Sequence, residues 1–311
     1  MTETITFSVV IPTFNRGVKA LRSVRSVLAQ TYPHFEVLVV DDGSDDTEAM
    51  LRRIDSRVIY MRGGAGGVAA GRNKAIAAAT GDYIAFLDAD DWWSPRKLEV
   101  IAVHIARHPE VNFYYSRVQY VDAERRRLWV RRLRHTRRSR AYPLLIEANF
   151  IVTSAIVVKR STLQEVGVFD TTLSGCEDWD LWIRIARRCR VCYVTDVLVY
   201  YEFLSEGSFT SRYRSWLLSQ YEVLEKSLRL DPALTGRSRQ RIESMNAYVS
   251  ARICLGAGDM IMALEYMKSA VHRYKANWRA LIYLLALQPT IVERLPQWAR
   301  RALRFPPEKL W

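Results

Sequence analysis

"FSVVIPTFNRGVKALRSVRSVLAQTYPHFEVLVVDDGS", residues 7–44, decides the fold. Two short β-rich apolar runs, 7–11 and 35–40, bracket a segment in which Leu21, Val24, Val27 and Leu28 recur three and four residues apart. Such runs read as buried strands and such spacing as one face of a helix, so the stretch is a β-α-β unit. The pattern continues outward. A helix is predicted over 45–54 with Ser44 as its N-cap, then a strand "VIYM" at 58–61, a helix "AAGRNKAIAAAT" at 69–80 and a strand "DYIAFL" at 82–87. Ser94 and Pro95 are placed to open the next helix as N-cap and first residue, and His108-Pro109 to close it. Strands alternating with helices predict a mainly parallel sheet covered on both faces, an α/β fold. "VNFYYSRV" at 111–118 and "SAIVVKR" at 154–160 add two strand candidates, and the sheet is expected to finish near "CYVTDVLVYYEF" at 192–203. From Tyr213 onward the apolar spacing is helical, which sets the expected domain boundary near residues 205–214. "GDMIMALEYMKSAV" is similar to one unit of a helical-hairpin repeat, but one unit makes no solenoid.

Composition narrows the class. A chain of 311 residues that is 49% hydrophobic can bury a large core. No basic, long apolar and small-residue segments follow one another at the start, so a cytoplasmic protein without a signal peptide is expected. The longest apolar run, "ALIYLLAL", is far short of a membrane span. Cys189 and Cys192 have CxxC spacing but no second ligand pair, so the four cysteines read as free thiols. The formal charge of +13 is uneven: residues 1–110 hold 13 basic and 14 acidic side chains, while 125–140 holds nine arginines and no acid. That stretch suits an anionic substrate, an anionic lipid surface or nucleic acid.

Ligands of open α/β sheets bind beyond the carboxyl ends of the strands. Three polar signatures fall there: "PTFNR" at 12–16, "DDGS" at 41–44 and "DADD" at 88–91. "DDGS" alone fits an ordinary turn, since acidic residues after a strand often serve as helix N-caps or solvated loops, and the coincidence of the three counts for more than any one of them. Gathered in one crevice, Asp41, Asp42, Asp88 and Asp90 would repel one another unless a cation or hydrogen-bond donors compensated them. A hard divalent cation bridging one or two carboxylates to a diphosphate is the simplest compensation.

The blocks "VVIPTFNR", "QTYPHFEVLVVDDGSDDT", "GVAAGRNKAI" and "GDYIAFLDADDWWSPRKLE", followed by "LQEVGVFDTTLSGCEDWDLWIRIA", resemble the family-2 inverting glycosyltransferases of GT-A fold over about 200 residues. The resemblance implies a GT-A catalytic domain over 1–212, with its nucleotide-sugar half over about 1–115 and its acceptor half over about 116–212. A helical extension over 213–311 follows. It implies a nucleotide-diphosphate-sugar donor, UDP-linked by expectation, a glycan or lipid-linked acceptor, and Mn2+ or Mg2+. Position by position, it implies that Pro12 and Thr13 line the base pocket with Asn15 nearby, and that Asp42 or its neighbour Asp41 accepts from the nucleobase edge. Arg72 would lie beside the nucleotide, Asp88 would face the ribose and Asp90 would bind the metal. Asp178 would be the catalytic base, with Glu177, Trp179 and Asp91 toward the acceptor. For Trp92, Trp93 and Trp182, core packing and acceptor contact are equal readings. The family often sets Arg or His after the last strand to close over the diphosphate, whereas "YYEFLSEGSFTSRYR" offers Glu202, leaving Arg212 or an arginine of 125–140 for that charge.

Two other classes compete. A nucleotidyltransferase making nucleotide-sugars should carry a glycine-rich basic loop after the first strand, and "IPTFNRG" is not one. A nucleic-acid-binding protein would explain the arginines but not the acidic motifs, so no nucleic acid is expected. The tail "TIVERLPQWARRALRFPPEKLW" reads either as a docked helix with a solvated basic face or as a peripheral contact with an anionic membrane.

Overall fold

A computed structural model describes residues 4–52, 54–130, 141–203 and 213–286. The arginines of 131–140, Arg212 and the basic aromatic tail lie outside the described residues. The chain divides into two compact units, one of Met1–Tyr142, Ile151–Thr172 and Asp180–Phe203, the other of Pro143–Phe150, Leu173–Trp179 and Leu204–Trp311.

The first unit is built on one sheet. Its strands are β1 (Phe7–Thr13), β2 (Phe35–Asp41), β3 (Val58–Arg62), β4 (Tyr83–Phe86), β5 (Trp92–Trp93), β6 (Phe113–Val121), β7 (Arg127–Val130), β8 (Ile156–Lys159) and β9 (Val191–Glu202). They lie in the order β3-β2-β1-β4-β8-β6-β9-β5, with β7 on β6. The β-α-β reading holds: β1 pairs in parallel with both β2 and β4, and β2 with β3. Helices α1 (Gly17–Leu28), α2 (Thr47–Leu51) and α3 (Gly67–Ala78) make the crossovers. Beyond β4 the sheet is mixed, because β8 runs antiparallel to both β4 and β6 before β9 resumes parallel to β6. Strands buried on both faces carry the same apolar signature in either direction, so the reversal left no trace in hydrophobicity.

The core follows from the strand composition. Val9, Val10 and Ile11 of β1 and Val37, Leu38 and Val39 of β2 are completely buried, and Ala20, Val24 and Val27 of α1 pack in one cluster with Val9, Ile11, Val37 and Val39. Helix α4 (Lys97–Arg107) begins later than Ser94-Pro95 suggests, because the Ser94 backbone is drawn into the sheet: its amide bonds Leu198 and its carbonyl caps Lys97. Helix α2 is likewise shorter than expected, starting after Asp45, whose carboxylate takes the Thr47 amide and hydroxyl. Helix α6 (Arg160–Val166) belongs to this unit, while α5 (Ala141–Glu147) and α7 (Glu177–Arg188) are divided between the two units, Pro143–Glu147 and Glu177–Trp179 falling in the second.

The second unit packs α8 (Tyr213–Leu230), α9 (Gly236–Gly256), α10 (Met260–Arg273) and α11 (Trp278–Ala286) around Leu217, Tyr248, Ala251, Cys254 and Met267. Asp259 caps α10 through the Met262 amide at 3.0 Å and takes the Tyr213 hydroxyl at 2.7 Å. No helix among the described residues is long and apolar enough to cross a membrane.

Candidate active site

The carboxyl ends of β1, β2 and β4 lie side by side because those three strands are neighbours in register, with Thr13 opposite Asp41. That register brings the loops after them together. Asn15 adopts φ +50° and accepts the Ser44 amide at 2.7 Å. A Cβ on Gly43 would fall 2.5 Å from the Asn15 backbone nitrogen, so only glycine allows the two loops this approach. The Asp42 amide bonds the Thr13 carbonyl at 3.0 Å, extending the ladder one residue past the strands.

The two adjacent aspartates of "DDGS" have different surroundings. The Asp41 carboxylate is fully buried and takes the Gly43 amide and the Tyr60 hydroxyl, each at 2.8 Å. An enclosed, doubly bonded carboxylate cannot meet a nucleobase edge, so Asp41 is removed from the binding set. Asp42 is only half-buried and faces the 63–65 turn: a Cβ on Gly63 would stand 1.6 Å from its Oδ1. Glycine at 63 leaves room for this carboxylate, whose Oδ1 accepts the Ala65 amide at 3.3 Å.

The turn after β4 carries Asp88, Asp90 and Asp91, and each carboxylate has its own compensation. Arg72, buried on α3, donates to Asp88 at 2.7 Å and lies over the Phe169 ring at 5.2 Å. Arg16 donates to Asp90 at 2.7 Å. Asp91 is fully enclosed, with one oxygen on the Ser154 hydroxyl and the other on the Glu202 amide at 3.1 Å. It therefore cannot reach an acceptor, and its expected role there is corrected to one inside the protein. Burial raises the Asp91 carboxyl well above the usual range, and the charges of Asp90 and Asp88 add to the effect. Lys97, fully buried beneath Trp93 and bonded to the Ser154 carbonyl at 2.9 Å, is pushed well below the usual lysine range by the same desolvation.

Helix α1 holds this turn from the other side. The Ser23 hydroxyl reaches the carbonyls of Ala89 and Asp91 at 2.9 and 2.6 Å. Arg22 bonds the Asp90 carbonyl and, at 2.8 Å, Glu202, which Lys19 also engages. Burial would raise the Glu202 carboxyl, but these two cations outweigh it and hold it below the ordinary value. Glu202, which stands where a cation was looked for, is thus neutralised from α1. Arg22 also lies over the Trp92 ring, which stacks on Tyr200 with centroids 5.5 Å apart. Trp93 and Trp182 are buried, which settles both as core. Arg16, Arg22, Ser154 and Glu202 were absent from the expected set, and so was Phe14, whose ring is 62% exposed beside Asn15. Arg16, Lys19 and Arg22 recur every three residues on α1 with no acid in its first turn, a readable signal for an acidic neighbour. Ser154 carried none.

In the second unit, Asp178 sits in the first turn of α7 and accepts the Trp179 amide at 2.6 Å and the Asn149 side-chain amide at 3.2 Å. Glu177 precedes it as the first residue of the helix. Trp179 is 2% exposed, with its indole N–H on the Leu145 carbonyl. A ring so enclosed packs the helix, and its expected acceptor contact is corrected accordingly.

The donor set beyond β4 suits a hard divalent cation. Burial raises the Asp90 carboxyl above the usual range and the Asp88 charge adds to it, while Arg16 and Lys19 pull the other way. Among the described residues no three His, Cys, Asp or Glu side chains converge into a protein-only cage. One or two carboxylates, with the remaining oxygens from a diphosphate, is how such cations are commonly held.

The sequence model of glycosyl transferase family 2 matches residues 8–167. An uncharacterized glycosyltransferase of Rickettsia conorii is 34% identical over 185 residues, which are 58% of this chain and 30% of that protein. This chain thus aligns with less than a third of that relative. WfaP of Escherichia coli, a UDP-Glc:alpha-D-GlcNAc-diphosphoundecaprenol beta-1,3-glucosyltransferase, is 28% identical over 221 residues, covering 70% of this chain and 85% of its own. Among solved structures, S. aureus TarS 1-349 in complex with UDP-GlcNAc matches 96% of this chain and 90% of its own at 15% identity, with a TM-score of 0.59. The mannosyltransferase PcManGT from Pyrobaculum calidifontis, in complex with GDP-Man and Mn2+, matches 97% and 86% at 19% identity, with a TM-score of 0.60. These likenesses show the fold, GT-A. With that fold, and with half of its length matched by the family's sequence model, the chain belongs to glycosyl transferase family 2.

Proposed function

We propose that the chain is an inverting glycosyltransferase that moves a sugar from a nucleoside-diphosphate donor, UDP-linked, to a hydroxyl of a glycan or lipid-linked acceptor, with Mn2+ or Mg2+. The observation that carries the reading is the gathering of Asp42, Arg72, Asp88 and Asp90 beyond neighbouring strand ends in a member of this family. Relatives that act on UDP-Glc or are complexed with UDP-GlcNAc support a UDP donor, and the Mn2+ in PcManGT supports the metal.

On this reading Pro12, Thr13 and Asn15 border the base, Asp42 accepts from its edge, and Phe14 offers it an aromatic face. Arg72 fixes Asp88 toward the ribose, and Asp90 holds the metal. The cation, when bound, offsets negative charge on the diphosphate as it leaves. Asp178 takes the proton from the attacking hydroxyl, Asn149 and the Trp179 amide hold its carboxylate in place, and Glu177 borders the acceptor. A single base on the acceptor side gives inversion.

The test is a panel of nucleotide-sugars assayed for hydrolysis and transfer with and without Mn2+, with the product anomer read by NMR. One UDP-sugar should be turned over in a Mn2+-dependent manner. Asp178→Asn should bind that donor as the wild type does while transfer falls by ~10²–10⁴-fold, the range a general base contributes. Wild-type transfer by Asp178→Asn would remove it as the base, and no turnover of any donor by the folded wild type would sink the proposal.

A further inference from the structure

Arg16 differs from the other cations around the acidic turn. Arg72 is 5% exposed and is held between Asp88 and the Phe169 ring. Arg22 is 19% exposed, pinned by Glu202, the Asp90 carbonyl and the Trp92 ring. The Arg16 side chain is 38% exposed, and its ion pair to Asp90 joins Nη1 to Oδ2 at 2.7 Å. It also lines a cavity of about 550 Å3 with Phe14, Lys19, Asp45 and Asp46. The cavity's acidic wall, Asp45 and Asp46, offers the guanidinium a second anionic surface.

These facts fix how strong and how permanent the pair is. A half-exposed, single-contact ion pair on a long side chain is screened by solvent and weak, unlike the enclosed Arg72 pair. Arg16 also stands at the N-cap of α1, where the helix dipole disfavours a positive charge, so the helix itself does nothing to hold it there. A divalent cation and a guanidinium drawn to the same carboxylate repel each other, so a cation bound at Asp90 weakens the Arg16 pair.

We infer that Arg16 is a displaceable internal counter-ion of Asp90: it neutralises the carboxylate in the free protein and gives way, toward the adjoining cavity, when a divalent cation binds. This deepens the reading of Asp90 as the metal carboxylate and rests on it. Arg16 is then a positioning residue whose pairing sets a threshold on metal binding in the absence of donor.

The experiment is a Mn2+ titration of the donor-free full chain at low ionic strength, following free Mn2+ by electron paramagnetic resonance. Wild type, Arg16→Ala, Arg16→Gln, Arg16→Lys and Asp90→Asn are compared, with circular dichroism to confirm the fold of each. Arg16→Ala and Arg16→Gln should bind Mn2+ about two- to fivefold more tightly than wild type, the factor expected on removing a competing half-exposed pair. Arg16→Lys, which keeps the charge, should stay near wild type, and Asp90→Asn should lose the site. Equal or weaker Mn2+ binding by both neutral variants, or no uptake by wild type and variants alike, overturns the inference. If Asp90→Asn binds Mn2+ as wild type does, the assignment of Asp90 itself fails. If Asp90→Asn loses binding while the Arg16 variants are unchanged, that assignment stands and the competition alone falls.

Discussion

Asp91 carries its carboxylate into the interior, where the Ser154 hydroxyl and the Glu202 amide take one oxygen each. Ser154 also accepts the Asp88 amide at 3.0 Å, so one buried serine couples two members of the acidic run. The Ser154 carbonyl receives both the Trp93 indole and Lys97 at 2.9 Å. Removing the Asp91 carboxylate strands a buried hydroxyl and a backbone amide and leaves Lys97 without its electrostatic partner. Asp91→Ala should therefore lower stability by roughly 3 kcal/mol in urea unfolding. Unchanged stability with weakened acceptor affinity would return Asp91 to the acceptor side. The sequence made the crowding of Asp88, Asp90 and Asp91 plain, and with it the need for compensation. It could not show that Arg72, Arg16 and Ser154 supply it, because each contact crosses 16 to 74 positions of chain.

At the scale of elements, Glu36 ties β2 to β1 and to the turn before β4. Its Oε1 receives the Ser8 hydroxyl of β1 at 2.5 Å, and the Thr80 amide and hydroxyl, in the turn before β4, at 2.7 and 2.8 Å. Burial alone would raise the Glu36 carboxyl, but these bonds and the Gly81 amide outweigh it and hold it below the ordinary value of 4.5. A carboxyl lowered on folding stabilises the protein above its unfolded value, and loses that contribution as pH falls through the folded one. Glu36→Gln should thus be less stable than wild type by about 1 kcal/mol at pH 7, with the gap closing as pH drops below 4.5. Urea unfolding at a series of pH values reads this directly, and a gap independent of pH would show that charge plays no part. Elements of this half were legible because period and strand ends coincide in the β-α-β unit. The two-residue strand β5 was not, since Trp92 and Trp93 become a strand only by pairing with Tyr200 and Val199, more than a hundred positions later.

For the molecule as a whole, the family match and the folded unit do not end at the same place. The match stops at residue 167, whereas the first unit continues through Asp180–Phe203. Strand β9, from this later part, pairs with β6 from Phe113 opposite Val191 to Val121 opposite Glu202, and with β5 on its other side. It lies inside the sheet order, and it delivers the Glu202 amide to Asp91 and the Glu202 carboxylate to Lys19 and Arg22. The acidic turn therefore depends on a strand outside the matched region. A fragment of residues 1–167 would leave β6 with an open parallel edge, β5 with no partner strand, and two α1 cations without their acid. It should show neither a cooperative thermal transition nor the near-ultraviolet circular dichroism of the full chain. A fragment that melts cooperatively within about 5 °C of the full chain, a shift worth no more than a kcal/mol or two, would mean that β9 is peripheral to the fold. Loss of cooperativity would instead make the acidic turn and the last strand one folding unit, and would explain why Glu202 stands where a cation was looked for: it braces α1 against the turn.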